Sequence, residues 1–272
     1  MNLLILSRKF EIFSTQRLVE EALIRGHHVS LWDPGKTANE CSFNADAVLP
    51  RLGGYRFSEA LSVLQTFESR GFKSFNNSQA YSHSRNKWNL YRRLQEWKLP
   101  TPSSQLLAKD ANLLHNELSY PLIAKILESS QGEGVYLVSS LDELQAVRSN
   151  HPQEDLLIQE WISEAEGADV RAFVVGGKVV ASMKRIAGEG EFRSNLHRGG
   201  HAETCALTAA EQDLALKLCQ HLDLDIAGVD FLRSHRGSLI LEANPCPGLE
   251  GIEKCTKINI AGEIIKFIEE HI

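Results

Sequence analysis

Several features that would each announce a class of protein are missing from this chain. Its five cysteines, Cys41, Cys205, Cys219, Cys246 and Cys255, form no CxxC pair and leave one over. That argues against a disulfide framework and a cysteine zinc site, and for reduced thiols in a cytoplasm. Ten histidines are scattered without an HExxH motif, so the common helical zinc signature is lacking. No run approaches the ~18 apolar residues of a membrane span, so no membrane association is expected. Leu3-Leu4-Ile5-Leu6 near the start has neither the basic lead nor the cleavage site of a signal peptide. A net charge of −6 gives no nucleic-acid footprint, and direct nucleic-acid binding is not expected. The first strand runs into Ser7-Arg8-Lys9-Phe10 rather than a GxGxxG turn, which argues against a dinucleotide-binding domain and an NAD(P) oxidoreductase. There is no internal repeat and no low-complexity tract.

What remains is an ordinary globular composition, 43% hydrophobic and 24% charged over 272 residues, enough for two or three compact units. The first ~80 residues alternate strand and helix, predicting a small parallel βαβ sheet. Its strands are expected at 3–6, 28–31 and 47–49, its helices at 15–25 and 58–69. A helix over 86–97 is closed by Leu99-Pro100-Thr101-Pro102, a boundary signal. Strands are expected at 104–107, 122–125, 135–138 and 156–159, with helices at 111–118 and 141–148. Two hairpins follow, 169–175 with 178–185 and 226–232 with 238–244, and helices at 209–221 and 260–271. Residues 186–202, rich in glycine and charge, read as a loop.

The hairpins place charged residues together. Gly176-Gly177 is a two-residue turn signal, and counting back from it sets Asp169 opposite Lys184, with Arg171 on the same face. Val170, Ala172 and Val174 then share the other face with Val179, Ala181 and Met183. In the last hairpin a three-residue loop, His235-Arg236-Gly237, with Gly237 left-handed, pairs Ser234 with Ser238 and Asp230 with Glu242. Opposed side chains lie about 4.5–5.5 Å apart, and Asn244 shares the face of Glu242. Two carboxylates forced together in an apolar hairpin repel; a divalent cation relieves this, and an all-oxygen set suits Mg²⁺ or Mn²⁺. The alternative is an acid pair at a wet sheet edge.

Three further segments carry chemistry. Lys125 precedes Glu128-Ser129-Ser130-Gln131-Gly132-Glu133-Gly134, a flexible turn whose backbone N–H groups can close over phosphates beside a compact ammonium. It is not a Walker motif, and a glycine hairpin with an exposed lysine has the same composition. Gln159-Glu160-Trp161-Ile162 leaves a strand with free backbone groups, suited to an adenine edge or to an interfacial tryptophan. Residues 192–200, Phe-Arg-Ser-Asn-Leu-His-Arg-Gly-Gly, place two arginine forks in one loop, a match for phosphate or carboxylate geometry or simply a solvated basic loop.

In order and spacing these segments resemble the ATP-grasp carboxylate–amine ligases, and more narrowly the RimK-type α-L-glutamate ligases. The resemblance runs from the opening Leu-Ser-Arg and Leu49-Pro50-Arg51 to Pro247-Gly248-Leu249-Glu250-Gly251-Ile252-Glu253-Lys254. It implies an α/β (α+β) ATP-grasp fold: a parallel pre-ATP-grasp domain over 1–86, then an ATP-grasp domain over 87–272 whose lobes, about 87–164 and 165–272, clamp ATP. It implies ATP contacts from Lys87, Lys125, Gln131, Gly132 and Gly134, with Glu160 and Trp161 framing the adenine and Asp169 near the ribose. Arg193, Ser194 and Asn195 are implied at the nucleotide or the reacting carboxylate. Two Mg²⁺ or Mn²⁺ are implied at Asp230, Glu242 and Asn244. Arg193, Asn195, Arg185 and Arg198 are the implied catalytic set, with Arg51 a further candidate for gripping a carboxylate.

The implied reaction adds L-glutamate or a similar amino acid to a ribosomal-protein C-terminus, a peptide, polyglutamate or a small molecule. A cytoplasmic homo-oligomer, tetrameric by analogy, is also implied. Alternatives are a ligase for another amino acid or a coenzyme or carrier acceptor, and an ATP-binding regulator without catalysis. Ser129, where relatives place glycine, and Glu133 depart from the family flap, and the stretch between Asp33 and Ala47 is short.

Overall fold

A computed structural model of the chain describes residues 1–36, 44–54, 56–111, 113, 117–127, 129, 132–165, 167–196 and 199–272. Half of the expected helix over 111–118 falls outside these residues. Three sheets organise what is described. The first is all parallel: β1 (Asn2–Leu6) lies between β2 (His28–Trp32) and β3 (Ala47–Pro50), and β4 (Lys73–Ser74) extends the β3 edge. Its connections include α1 (Phe13–Ile24) and α2 (Phe57–Ser69). Strands β1 and β3 are buried along nearly their whole length, as near-continuous apolar runs in a parallel sheet require.

The helices α3 (Ser78–Arg85) and α4 (Lys87–Glu96) follow. Asn77 and Asn86 cap them through side-chain oxygens that accept from Ala80 and Asn89 N–H. The second sheet is antiparallel in the order β5 (Ser104–Leu107), β8 (Leu156–Glu160), β6 (Leu122–Ile126), β7 (Val135–Val138), with α5 (Leu141–Asn150) against it. The third, also antiparallel, runs β11 (His201–Thr204), β10 (Lys178–Ile186), β9 (Ala168–Val175), β12 (Ile226–Ser234), β13 (Gly237–Asn244). Helices α6 (Ala209–Leu222), α7 (Glu250–Thr256) and α8 (Ile260–Glu270) complete the chain. Five short elements, β4, α3, β11, α7 and a 3-10 turn over Ser163–Ala165, were not expected from the sequence.

The third sheet has two apolar faces. Ala172, Val174, Val229, Phe231 and Ile240 pack on α6 and α4 residues such as Leu218 and Leu94. Phe173, Val175, Ala181, Met183 and Ile226 join α8 and the parallel sheet in another core. The tie to the parallel sheet is specific. Asn76 is buried just beyond β4; it donates to the Ile226 and Pro245 carbonyls at 2.7 and 2.9 Å and accepts from Ile226 N–H at 2.9 Å.

Both hairpins correct the expected registers. Between β9 and β10 the register shifts by one between Val179 and Ala181, so Asp169 opposes Arg185, not Lys184. Ala181 and Met183 therefore lie with Phe173, not with Ala172. Between β12 and β13 the turn holds only His235 and Arg236, and Gly237 (φ +96°) pairs with Ser234. A second irregularity between Asp230 and Phe231 then restores Asp230 opposite Glu242. A bulge adds one residue to one strand without altering the hydrophobic alternation on either side, so neither shift shows in the pattern.

Candidate active site

The second and third sheets and α4 bound a cleft of about 1130 Å³, counting its open mouth. Leu90, Leu94, Ile123, Leu157 and Leu241 supply apolar wall, and Trp161 meets Phe192 edge-on, ring centres 6.0 Å apart. Lys87, Lys125, Gly132, Glu160, Trp161, Asp169, Arg185, Arg193, Ser194, Asn195, Asp230 and Glu242 all line it. Residues dispersed over 156 positions of sequence are thus gathered by two sheets meeting at one opening. Gly134, Asn244 and Arg51 lie outside this lining, and Gln131 and Arg198 lie outside the described residues.

Lys125 approaches from the second sheet and Lys87 from α4. Lys125, 8% exposed on the buried strand β6, donates to Gln159 Oε1 at 2.6 Å. Burial, with the nearby Lys87 charge, lowers its amine to about 8. Lys87, at the first turn of α4, donates to the Ser129 carbonyl at 2.7 Å, its hydroxyl at 3.1 Å and the Ile126 carbonyl at 3.2 Å. The Ser129 hydroxyl donates to Ile126 O at 3.0 Å, so this departure from the family flap closes the turn. Glu133 is exposed. Gly134 (φ +61°) serves the backbone: a Cβ there would stand 2.7 Å from Ile126 Cδ1.

The opposite wall is a chain of buried charges. Arg171 grips Asp230 through Nε–Oδ1 at 2.6 Å and Nη2–Oδ2 at 2.7 Å. Arg185 forks onto both oxygens of Asp169 at 2.6 Å and reaches Asp230 Oδ2 at 2.6 Å. The Ser194 hydroxyl donates to Asp169. Burial opposes the Asp230 charge, but the arginines prevail and hold its carboxyl at about 2. Desolvation by the surrounding walls, then the Asp230 charge, raises Glu242 above the usual carboxylate range. Glu242 is 3.6 Å from Arg171 and its side chain is 43% exposed.

These contacts correct one expectation. The Asp230–Glu242 pair is not an uncompensated repulsion, because Arg171 and Arg185 arrive from β9 and β10. Asp169 is held by Arg185 and Ser194, and Arg185 binds two aspartates. The Glu160 carboxylate turns to Ser103 N–H and Arg236, both at 2.7 Å. The ladder between β6 and β8 ends at the pair Leu122 with Glu160. Arg193 binds Glu191 and the carbonyls of Gly132, in the β6–β7 turn, and Val135, at the start of β7. Asn195 makes no side-chain hydrogen bond among the described residues. Arg51, at the end of β3, donates to Pro247 O at 2.7 Å.

The donor set still fits a hard divalent cation. Asp230, Glu242 and Asn244 offer oxygen alone, and three carboxylates (Asp169, Asp230, Glu242) face two guanidiniums, leaving net negative charge on the cleft side. Asn244 Oδ1 meanwhile accepts from Cys246 N–H at 2.8 Å. The roles of Gln159, Arg171 and Glu191 were not read from the sequence. Arg171 alone left a signal, its shared face with Asp169.

Comparison with known proteins matches the same plan. Residues 1–81 match the RimK PreATP-grasp domain model and residues 84–268 the RimK-like ATP-grasp domain model. A protein of Shewanella frigidimarina described as a probable alpha-L-glutamate ligase is 40% identical over 290 residues, covering 100% of this chain and 96% of that protein. A crystal structure of a RimK-domain ATP-grasp protein from Sphaerobacter thermophilus superposes with TM-score 0.77 at 20% identity, over 99% of this chain and 100% of that one. The D-alanine–D-alanine ligase of Bacillus anthracis, complexed with ATP, gives TM-score 0.77 at 20% identity, over 99% of this chain and 96% of its own. With both of its parts matched in order along nearly the full length, the chain belongs to the RimK-like ATP-grasp family and is an ATP-dependent, amide-forming ligase.

Proposed function

We propose that the chain joins L-glutamate to an acceptor ending in glutamate, whether protein, peptide or polyglutamate, with release of ADP and phosphate. The observation that carries this is the single cleft whose one wall presents Lys87 and Lys125 and whose other presents Asp230 and Glu242. The choice of glutamate is supported by relatives described as alpha-L-glutamate ligases at about 40% identity over full length.

In the first step a carboxylate oxygen attacks the γ-phosphorus of ATP, and the bond to the ADP oxygen breaks. In the second an amine nitrogen attacks the acyl carbon, phosphate leaves, and the nitrogen loses a proton. The chain positions two anions and cancels their repulsion. Lys87 and Lys125 take phosphate charge, Arg193 and Asn195 face the transferred group, and the apolar wall excludes water from the acyl phosphate. Asp230, Glu242 and Asn244 would hold Mg²⁺ or Mn²⁺, which supplies Lewis-acid neutralisation of the phosphate oxygens. Arg51 and Arg8 stand beyond the C-terminal ends of β3 and β1. The strand order reverses between these two strands, which is where open parallel sheets bind ligands. Arg51 is therefore assigned to the acceptor's carboxylate. The division into 1–86 and 87–272 belongs to the same reading, and the demand for ATP suits a cytoplasmic location.

Incubation with ATP, Mg²⁺ or Mn²⁺ and mixed amino acids, followed by mass spectrometry, tests the proposal. The expected products are ADP and glutamate adducts. Adducts of another amino acid in place of glutamate overturn the choice of donor, and nucleotide binding without ADP under every mixture overturns the proposed reaction.

A further inference from the structure

Glu191 precedes the Arg193–Asn195 segment and is absent from every role assigned above. Its carboxylate binds Arg193 through both oxygens. Oε1 accepts from Arg193 Nε at 2.9 Å and from the backbone N–H of Phe192 and Arg193 at 2.9 and 3.0 Å. Oε2 accepts from Arg193 Nη2 at 2.7 Å. This fork leaves Nη1, which donates to the Gly132 and Val135 carbonyls at 3.1 and 3.3 Å. Those carbonyls belong to the β6–β7 turn and to the first residue of β7, on the other sheet. The two side chains are only 21% and 19% exposed, and the Arg193 guanidinium also lies over the Phe192 ring at 5.2 Å.

From this geometry we infer that Glu191 is a positioning residue: it holds Arg193 as a strap from the third sheet to the β6–β7 turn, setting the nucleotide-facing wall before ATP arrives. An arginine side chain free to rotate would lose much conformational freedom on joining two carbonyls and a ligand. A bidentate carboxylate removes that freedom beforehand and fixes which nitrogen points across the cleft. The Arg193 hydrogen bond, against a smaller opposing effect of burial, holds the Glu191 carboxyl at about 2, so the strap stays charged at any ordinary assay pH. The inference rests on the cleft being the ATP site.

The test compares E191Q, E191D, R193M and the double variant E191Q/R193M. E191Q is expected to raise KM for ATP about tenfold, equivalent to 1.4 kcal/mol, and to change kcat by less than about threefold, because only ground-state ordering is lost. E191D, which keeps the charge, recovers most of the loss. On the R193M background E191Q adds nothing further, as two residues acting through one contact require. Without nucleotide, backbone hydrogen exchange over 132–138 is faster in E191Q than in wild type. An unchanged KM together with unchanged exchange overturns the strap, and so does an E191Q effect fully additive to R193M. If E191Q does not fold, E191D carries the same measurements at a smaller rise in KM. A wild type that binds no ATP sinks the functional reading instead, while the exchange comparison still decides the strap.

Discussion

Asp230 and Glu242 oppose one another across one strand pair, yet they carry different loads. Asp230 is 1% exposed and sits between two guanidiniums, whereas Glu242 opens to the cleft. D230N strips the compensating charge from Arg171 and Arg185, and should cost about 3–5 kcal/mol, the usual penalty for breaking a buried pair. E242Q should leave urea unfolding within about 1 kcal/mol of wild type. It should nonetheless cut metal-dependent ADP release by about 100-fold or more, as loss of a site's charge stabilisation does. Equal destabilisation by both would contradict the division of roles. Lys125 carries a pH prediction. Its amine at about 8 lies below the ordinary 10.5 because burial and Lys87 disfavour the charged form. Phosphate binding needs that charge, so nucleotide affinity is highest below pH 8. It then falls as pH rises through 8, approaching about tenfold per pH unit. Calorimetric titration from pH 6.5 to 9.5 checks this, and K125A should flatten the profile. The residue identities here were legible: both lysines, Asp230 and Glu242 stand out in the chain. The partners of Lys125 and Asp230 were not, because Gln159 and Arg171 reach them through contacts between strands that no local pattern encodes.

Among the elements, α6 shows how a helix end can secure a hairpin. Thr208 accepts from Glu211 N–H at 3.2 Å and Glu211 returns the bond to Thr208 N–H at 2.9 Å, a capping box. The same carboxylate accepts from Arg233 and Ser238, both at 2.7 Å, on β12 and β13. Burial opposes the charge, but these donors outweigh it and lower Glu211 to about 2. A carboxyl depressed in the folded state contributes stability that is complete above its unfolded value near 4.5. That contribution is lost as pH falls toward 2. E211Q should therefore cost about 1–3 kcal/mol at pH 7, with the gap to wild type closing below pH 4.5 and nearly gone at pH 2. Denaturant titrations at several pH values decide it, and a gap constant with pH would refute the assignment. Element types were readable from periodicity and turn signals, and most strands and helices fell where expected. Registers were not. In the last hairpin two single-residue departures, the shorter turn and the bulge, cancelled, and Asp230 still met Glu242. In the other hairpin one bulge stood alone and moved Asp169 from Lys184 to Arg185.

For the molecule as a whole, the parallel sheet is held to the rest through one shared core and several polar contacts. Asn76 is a buried one among them, the partner of Ile226 N–H and of the Ile226 and Pro245 carbonyls. N76A should lower stability by about 2–4 kcal/mol, the cost of leaving buried backbone groups unpaired, seen as a drop in the urea midpoint. A change under 1 kcal/mol would mean that water replaces the amide. Arg17 adds a second tie: its Nε lies 3.2 Å from Glu253 and its Nη2 donates to Asn259 at 3.0 Å. The amino-acid sequence by itself determined the alternation of elements, the absence of a dinucleotide fingerprint, and the identity of the charged residues of the cleft. Those depend on local spacing and residue chemistry alone. Only the tertiary structure decided which carboxylates are already neutralised, which face Arg193 turns to the cleft, and how the parallel sheet docks. Each of those depends on groups brought into hydrogen-bond contact across sheets or strands, where burial makes an unmatched charge far too costly to leave alone.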